Sequence, residues 1–112
     1  MLYIYLLGKL AEDFNRIGID TIRKQTEEKA RMLYKFLDSS DSYEPFVKQE
    51  RHRSQTVVVA TTAKPSADVM AATKAAHMVV GSGYGKFKSD QIRIANFPAT
   101  SVEQVAALIS QL

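Results

Sequence analysis

The sequence predicts an α+β fold, a two-layer sandwich in which helices cover one face of a small, mostly antiparallel sheet. Three observations carry that prediction. Apolar residues recur at helical spacing in four separate stretches. A run of β-branched residues, Thr56-Val-Val-Val-Ala-Thr-Thr62, reads as a strand. Two short apolar runs, Met78–Val80 and Gln91–Ala95, flank a glycine-containing loop and read as an antiparallel hairpin.

Taken in order, the chain begins with a helix from Leu2 to Ile17, because Leu2, Leu6, Leu10 and Phe14 recur every fourth residue and Gly18 stops the pattern. Its opening turn is apolar nearly all round, as in a helix buried on more than one side. A second body of protein is therefore expected to cover it, either more of the same chain or another copy. Asp20 offers an N-cap for a second helix through Phe36 or Leu37. Ile22, Thr26, Ala30, Leu33 and Leu37 mark its buried stripe, and Arg23, Lys24, Glu27, Glu28 and Arg31 its solvated face.

Asp38-Ser-Ser-Asp-Ser42 is a turn, and Tyr43–Val47 reads as an edge strand, where Pro45 is tolerated. The unbroken Val57-Val-Val run implies a strand buried on both faces, or at least central in the sheet. Pro65 lies in the first turn of a third helix, with Ser66 as its cap, and His77 sits where that helix hands over to the Met78 strand. Thr100-Ser-Val-Glu103 fits a capping box for a last helix whose stripe is Val102, Val105, Ala106, Ile109 and Leu112.

Composition bounds the function. The 112 residues make one domain, and 46% hydrophobic with 24% charged residues is a globular balance, not a disordered one. The net charge of +3 is interleaved along the chain and forms no basic stripe, so no nucleic-acid partner is expected. The absence of cysteine removes disulfide and thiolate chemistry, and with only His52 and His77 no metal site is expected. The apolar start, Met1–Leu7, lacks the basic region of a signal peptide and the ~20 residues of a membrane span, so no membrane partner is expected.

The chemistry points to the hairpin. In Gln91-Ile-Arg-Ile-Ala95 the two-residue period sends Ile92 and Ile94 to one face and Arg93 to the other. An outward guanidinium, with Asn96 beside it, suits a carboxylate in bidentate geometry, although spacing alone is also satisfied by a solvated arginine. Gly81-Ser-Gly-Tyr-Gly85 opens into a strand and not a helix, which excludes a dinucleotide or P-loop reading and leaves a loop that needs positive φ. Lys86, Lys88 and Arg93 together put three cations near the hairpin mouth, a charge arrangement suited to an anion.

Arg53-Ser54 before the valine-rich strand, the run Val80-Gly-Ser-Gly-Tyr-Gly-Lys-Phe-Lys88 and above all Gln91-Ile-Arg-Ile-Ala-Asn-Phe-Pro98 resemble the C-terminal end of phosphoserine aminotransferases, in the class V group of pyridoxal-phosphate enzymes. Ile4–Gly8 and Gly18–Ile22 resemble the helical segment that joins the large domain of that family to the small one. The resemblance implies a linker helix over 1–17 from the end of the large domain and a C-terminal small domain over 18–112, of the kind found in fold-type I aminotransferases. It implies a cytoplasmic homodimeric parent enzyme that moves an amino group between glutamate and 3-phosphohydroxypyruvate in serine biosynthesis.

By the same resemblance Arg93 binds the substrate α-carboxylate, and Lys86 and Lys88 stand where many members place a His-Arg pair against the substrate phosphate. The cofactor lysine and the acidic partner of its ring nitrogen belong to the large domain in that family. The chain alone is therefore expected to hold no pyridoxal 5'-phosphate and to lack transaminase activity. Two other readings fit the residues: the small domain of another class V aminotransferase or lyase, and a stand-alone anion-binding or oligomerisation module.

Overall fold

A computed structural model describes residues 1–112. Four α-helices, α1 (Leu2–Ile17), α2 (Ile19–Ser39), α3 (Ser66–Ala75) and α4 (Val102–Gln111), surround a sheet of β1 (Tyr43–Pro45), β2 (Val57–Thr62), β3 (Gly81–Ser82) and β4 (Gln91–Ala95). The strand order is β1-β2-β4-β3 and every pair is antiparallel. This is the α+β two-layer sandwich that the sequence predicts.

The core forms where α2, α3 and α4 meet one face of the sheet. Val58 and Ala60 of β2 and Ile92 and Ile94 of β4 pack with Leu33, Leu37, Val69, Val105 and Leu108. Strand alternation is the cause: Val58 pairs with Ile94 and Ala60 with Ile92, so all four side chains leave the sheet on the same side. Val57, Val59 and Thr61 alternate with them and are only half-buried, so β2 is central in the sheet but buried on one face, not on both. No helix covers the second face, and that is what opens the site described below.

Several local expectations shift. Gly18 ends α1 with φ 97°, its N–H reaching the Phe14 carbonyl at 2.8 Å, and serves also as the N-cap of α2; Asp20 lies inside the first turn and caps nothing. Ser66 is the first residue of α3 and not its cap, because its hydroxyl donates to the Lys88 carbonyl across the fold. The strand expected at Met78–Val80 begins instead at Gly81, since the Met78 N–H turns back to the Thr73 carbonyl after His77 takes φ 64°. The capping box sits one residue later than its sequence signature, with Ser101 and Gln104 exchanging side-chain bonds to backbone N–H groups.

Two buried polar residues tie the layers together. Lys29, 1% exposed, donates from Nζ to the carbonyls of Phe97 at 3.0 Å and Thr100 at 2.6 Å, and burial lowers its pKa. Asn96 does not accompany Arg93 on the open face: it is fully buried, and its amide nitrogen donates to the Thr26 and Gln55 carbonyls. The two-residue period itself puts Asn96 on the side of Ile92 and Ile94, opposite Arg93 and Ala95, and its N–H continues the pairing with β2 by donating to the Thr56 carbonyl.

The first helix behaves differently. None of its residues is buried, and Leu2, Ile4, Leu6, Leu7 and Leu10 are exposed. Within the chain its main neighbour is α2, the helix that follows Gly18.

Candidate functional site

The open face of the sheet is organised by one row of cross-strand partners. Val59 lies opposite Arg93, and Arg93 opposite Gly81. On the other side of Val59, the Phe46 N–H bonds to the Val59 carbonyl and continues the β1–β2 register. A row of Phe46, Val59, Arg93 and Gly81 thus crosses the sheet on the face that no helix covers. Phe87 packs on Phe46 with ring centroids 5.4 Å apart, which gives one end of the row an aromatic wall.

Arg93 is half-buried and incompletely satisfied. Its Nε donates to the Ser82 carbonyl at 2.6 Å, and that is its single hydrogen bond within the chain. Its guanidinium carbon lies 4.1 Å from the centroid of the Tyr84 ring. Nη1 and Nη2 reach no carboxylate or carbonyl. A guanidinium with its terminal donors unpartnered on a partly desolvated surface has the chemistry to accept an oxyanion.

The glycine-containing loop makes this possible through space more than through torsion. A β-carbon at Gly81 would stand 2.9 Å from Arg93 Nη2, so glycine is what lets the guanidinium lie over β3. Gly83 is pressed against the Phe87 carbonyl, and of the loop glycines only Gly85 needs positive φ, at 56°.

The three cations expected at the hairpin mouth are not equivalent. Lys86, in the short 3-10 turn Gly85–Phe87, holds its Nζ 5.1 Å from the Phe87 ring centroid, on the aromatic wall. Lys88 is exposed, and its backbone carbonyl is tied to Ser66 of α3. Neither lysine forms an ion pair or a hydrogen bond with its side chain, nor does either join Arg93 in a common network. Arg93 alone is built into the sheet.

Arg53, the other arginine of the sequence motifs, has the opposite environment. Its Nε donates to the Val47 carbonyl at 2.9 Å, its terminal nitrogens reach both oxygens of Asp38 at 3.3 and 3.2 Å, and it lies 4.8 Å from the Tyr34 ring centroid. It braces α2 against the segment before β2. Tyr34 adds a bond from its hydroxyl to the Ser54 carbonyl at 2.6 Å, and burial raises its pKa against the opposing charge of Arg53. Sequence reasoning did not find Phe46 here, nor the packing of the Tyr84 ring on Arg93, because both depend on contacts across the sheet.

The class-V aminotransferase family model matches residues 1–89. The chain belongs to that family. The match spans α1 to the hairpin loop and stops short of β4, but structural likeness extends over the remainder. A phosphoserine aminotransferase, SerC from Cytophaga hutchinsonii, superposes with a TM-score of 0.95 at 44% identity, covering 98% of this chain and 30% of that one. The phosphoserine aminotransferase of Rhodococcus opacus is 29% identical over 97 residues, which are 85% of this chain and 26% of that protein. A glutamate decarboxylase from Lactobacillus brevis shares the fold at 16% identity, with a TM-score of 0.65. The chain thus spans about a quarter of the length of the curated relatives it matches. No helix is long and apolar enough to cross a membrane.

Proposed function

We propose that this class-V aminotransferase chain is the C-terminal, substrate-binding domain of a phosphoserine aminotransferase, transferring an amino group between glutamate and 3-phosphohydroxypyruvate in cytoplasmic serine biosynthesis. The observation that carries the proposal is Arg93: half-buried on the helix-free face, anchored through Nε alone, with both terminal nitrogens unpaired. A planar fork with two parallel donors matches an α-carboxylate, and its charge persists at any working pH. Lys86 and Lys88, exposed on the neighbouring loop, act as point charges for the substrate phosphate.

The pyridoxal-phosphate cofactor of such an enzyme supplies the electron sink of transamination. The family resemblance assigns no lysine of this chain to its covalent site. Lys29, its one buried lysine, is already engaged by the Phe97 and Thr100 carbonyls. By the family resemblance, the lysine that bonds the cofactor belongs to a large domain, and residues 1–17 form the helix that joins it to residues 18–112. The exposed leucines of α1 support that reading, since a large domain and the partner of a homodimer would bury them.

The experiment is Arg93→Ala in the full-length enzyme. Two charge-assisted hydrogen bonds are removed, so kcat/KM for glutamate is expected to fall roughly 100-fold with the cofactor still bound. Unchanged kinetics would remove Arg93 from the site.

A further inference from the structure

Arg93 lies on an open sheet face, where a long side chain has many rotamers, yet its guanidinium is held on three sides. The Ser82 carbonyl accepts from Nε at 2.6 Å. The Tyr84 ring covers one face at 4.1 Å. Gly81 lies beneath Nη2, where any side chain would intrude, since even a β-carbon would approach to 2.9 Å. All three restraints come from four consecutive residues, Gly81 to Tyr84, that enter the loop from β3.

We propose that Tyr84 is the positioning residue of the carboxylate clamp, and that the carboxylate is received on Nη1 and Nη2 and not on the Nε edge. The inference rests on the carboxylate reading of Arg93 and adds its geometry. A guanidinium offers two bidentate edges, one made of Nε with a terminal nitrogen and one of the two terminal nitrogens. The Ser82 carbonyl occupies the first. Tyr84 closes one π-face by stacking, which is favourable for a cation and keeps the plane from rotating. What remains open is the terminal edge, with both nitrogens directed at one incoming pair of oxygens. Holding that plane before substrate arrives removes an ordering cost from binding, which is the usual gain from preorganisation.

The ring and not the hydroxyl does this. Tyr84 is exposed and its hydroxyl makes no hydrogen bond within the chain, so Tyr84→Phe should retain the function and Tyr84→Ala should lose it. Two measurements test the proposal. In the 112-residue chain, NMR of the Arg93 Nε–H should give solvent exchange that is slow in wild type and in Tyr84→Phe and at least several-fold faster in Tyr84→Ala. In the full-length enzyme, Tyr84→Ala and Gly81→Ala should raise KM for glutamate roughly 5- to 10-fold with kcat within about 2-fold, as loss of one positioned hydrogen bond would. Tyr84→Phe should stay within about 2-fold of wild type in both.

Equal Nε–H exchange in wild type and Tyr84→Ala overturns the proposal. If Arg93→Ala raises KM but Tyr84→Ala does not, the positioning role falls and the carboxylate reading survives. If Arg93→Ala itself leaves KM unchanged, the carboxylate reading falls and the proposal falls with it.

Discussion

Arg53 and Arg93 differ in what their donors reach. Each stacks on a tyrosine, Tyr34 for Arg53 and Tyr84 for Arg93, and each donates from Nε to a backbone carbonyl. The terminal nitrogens separate them. Those of Arg53 meet Asp38, and its side chain is only 12% exposed at the junction of α2 and β2. Those of Arg93 meet nothing in the chain, on the sheet face that the helices leave open. The same residue type, with the same aromatic partner type, is a brace where its donors are saturated and keeps two terminal nitrogens open where they are not. The tertiary surroundings, and not the side chain, make the assignment.

Substitutions at the two arginines should separate function from stability. Arg93→Ala, with its roughly 100-fold loss of kcat/KM, should leave the melting temperature of the 112-residue chain nearly unchanged, because the one internal hydrogen bond and the contact with the exposed Tyr84 ring that are lost both lie near water. Arg53→Ala should do the reverse. It removes the bond to Val47 and the packing on Tyr34, while the exposed Asp38 pair adds little through solvent screening. The expected cost is about 2 kcal/mol, a melting temperature lower by roughly 10 °C in calorimetry, with KM for glutamate unaltered in the full-length enzyme. A large KM effect from Arg53→Ala would erase the contrast.

A smaller effect tests whether Arg93 acts with its neighbouring lysines. Lys86→Ala and Lys88→Ala together should raise KM for the phosphorylated substrate by roughly 10-fold at low salt and leave KM for glutamate within about 2-fold, because exposed point charges act through screened attraction. If both substrates respond alike, the lysines serve the general field of the site and not a phosphate.

The smallest effect is that of pH on folding. Burial depresses the pKa of Lys29 below 10.5, so its contribution to stability is present above pH 10.5 and is lost as pH falls through the folded value. Burial raises Tyr34 and Tyr43 above 10.0, so their contribution is full below pH 10.0 and is lost as pH rises through the folded values. Thermal stability should therefore climb as alkaline pH nears 10 and fall beyond it. Lys29→Met should flatten the climb, and Tyr34→Phe, in the Arg53 brace, should soften the fall. A profile unaltered by Lys29→Met would mean that the amine is solvated in the folded state.

Much of this architecture was legible in the sequence. Helix α1 runs between the residues its apolar spacing marks, β2 and β4 stand where their β-branched residues put them, and the two-residue period alone turns Arg93 away from Ile92 and Ile94. These are local properties: a strand alternates and a helix repeats whatever it later packs against. Boundaries were less legible where a long-range bond competes with a local signal. Ser66 has the chemistry of a cap but donates to Lys88, 22 residues away, and Lys29 sits among charged neighbours on α2 yet turns inward to carbonyls 68 and 71 residues further on.

By itself, then, the sequence determined the order and type of the elements, the side of the sheet to which Arg93 belongs and a resemblance that the family match bears out. It could not determine which arginine keeps free donors, because that depends on whether Asp38 or open space faces the guanidinium. It also left open which face of β2 is covered, since a run of valines suits one covered face or two. Only the tertiary structure decided those points, by laying α2, α3 and α4 on a single face and leaving Val59, Arg93 and Tyr84 on the other.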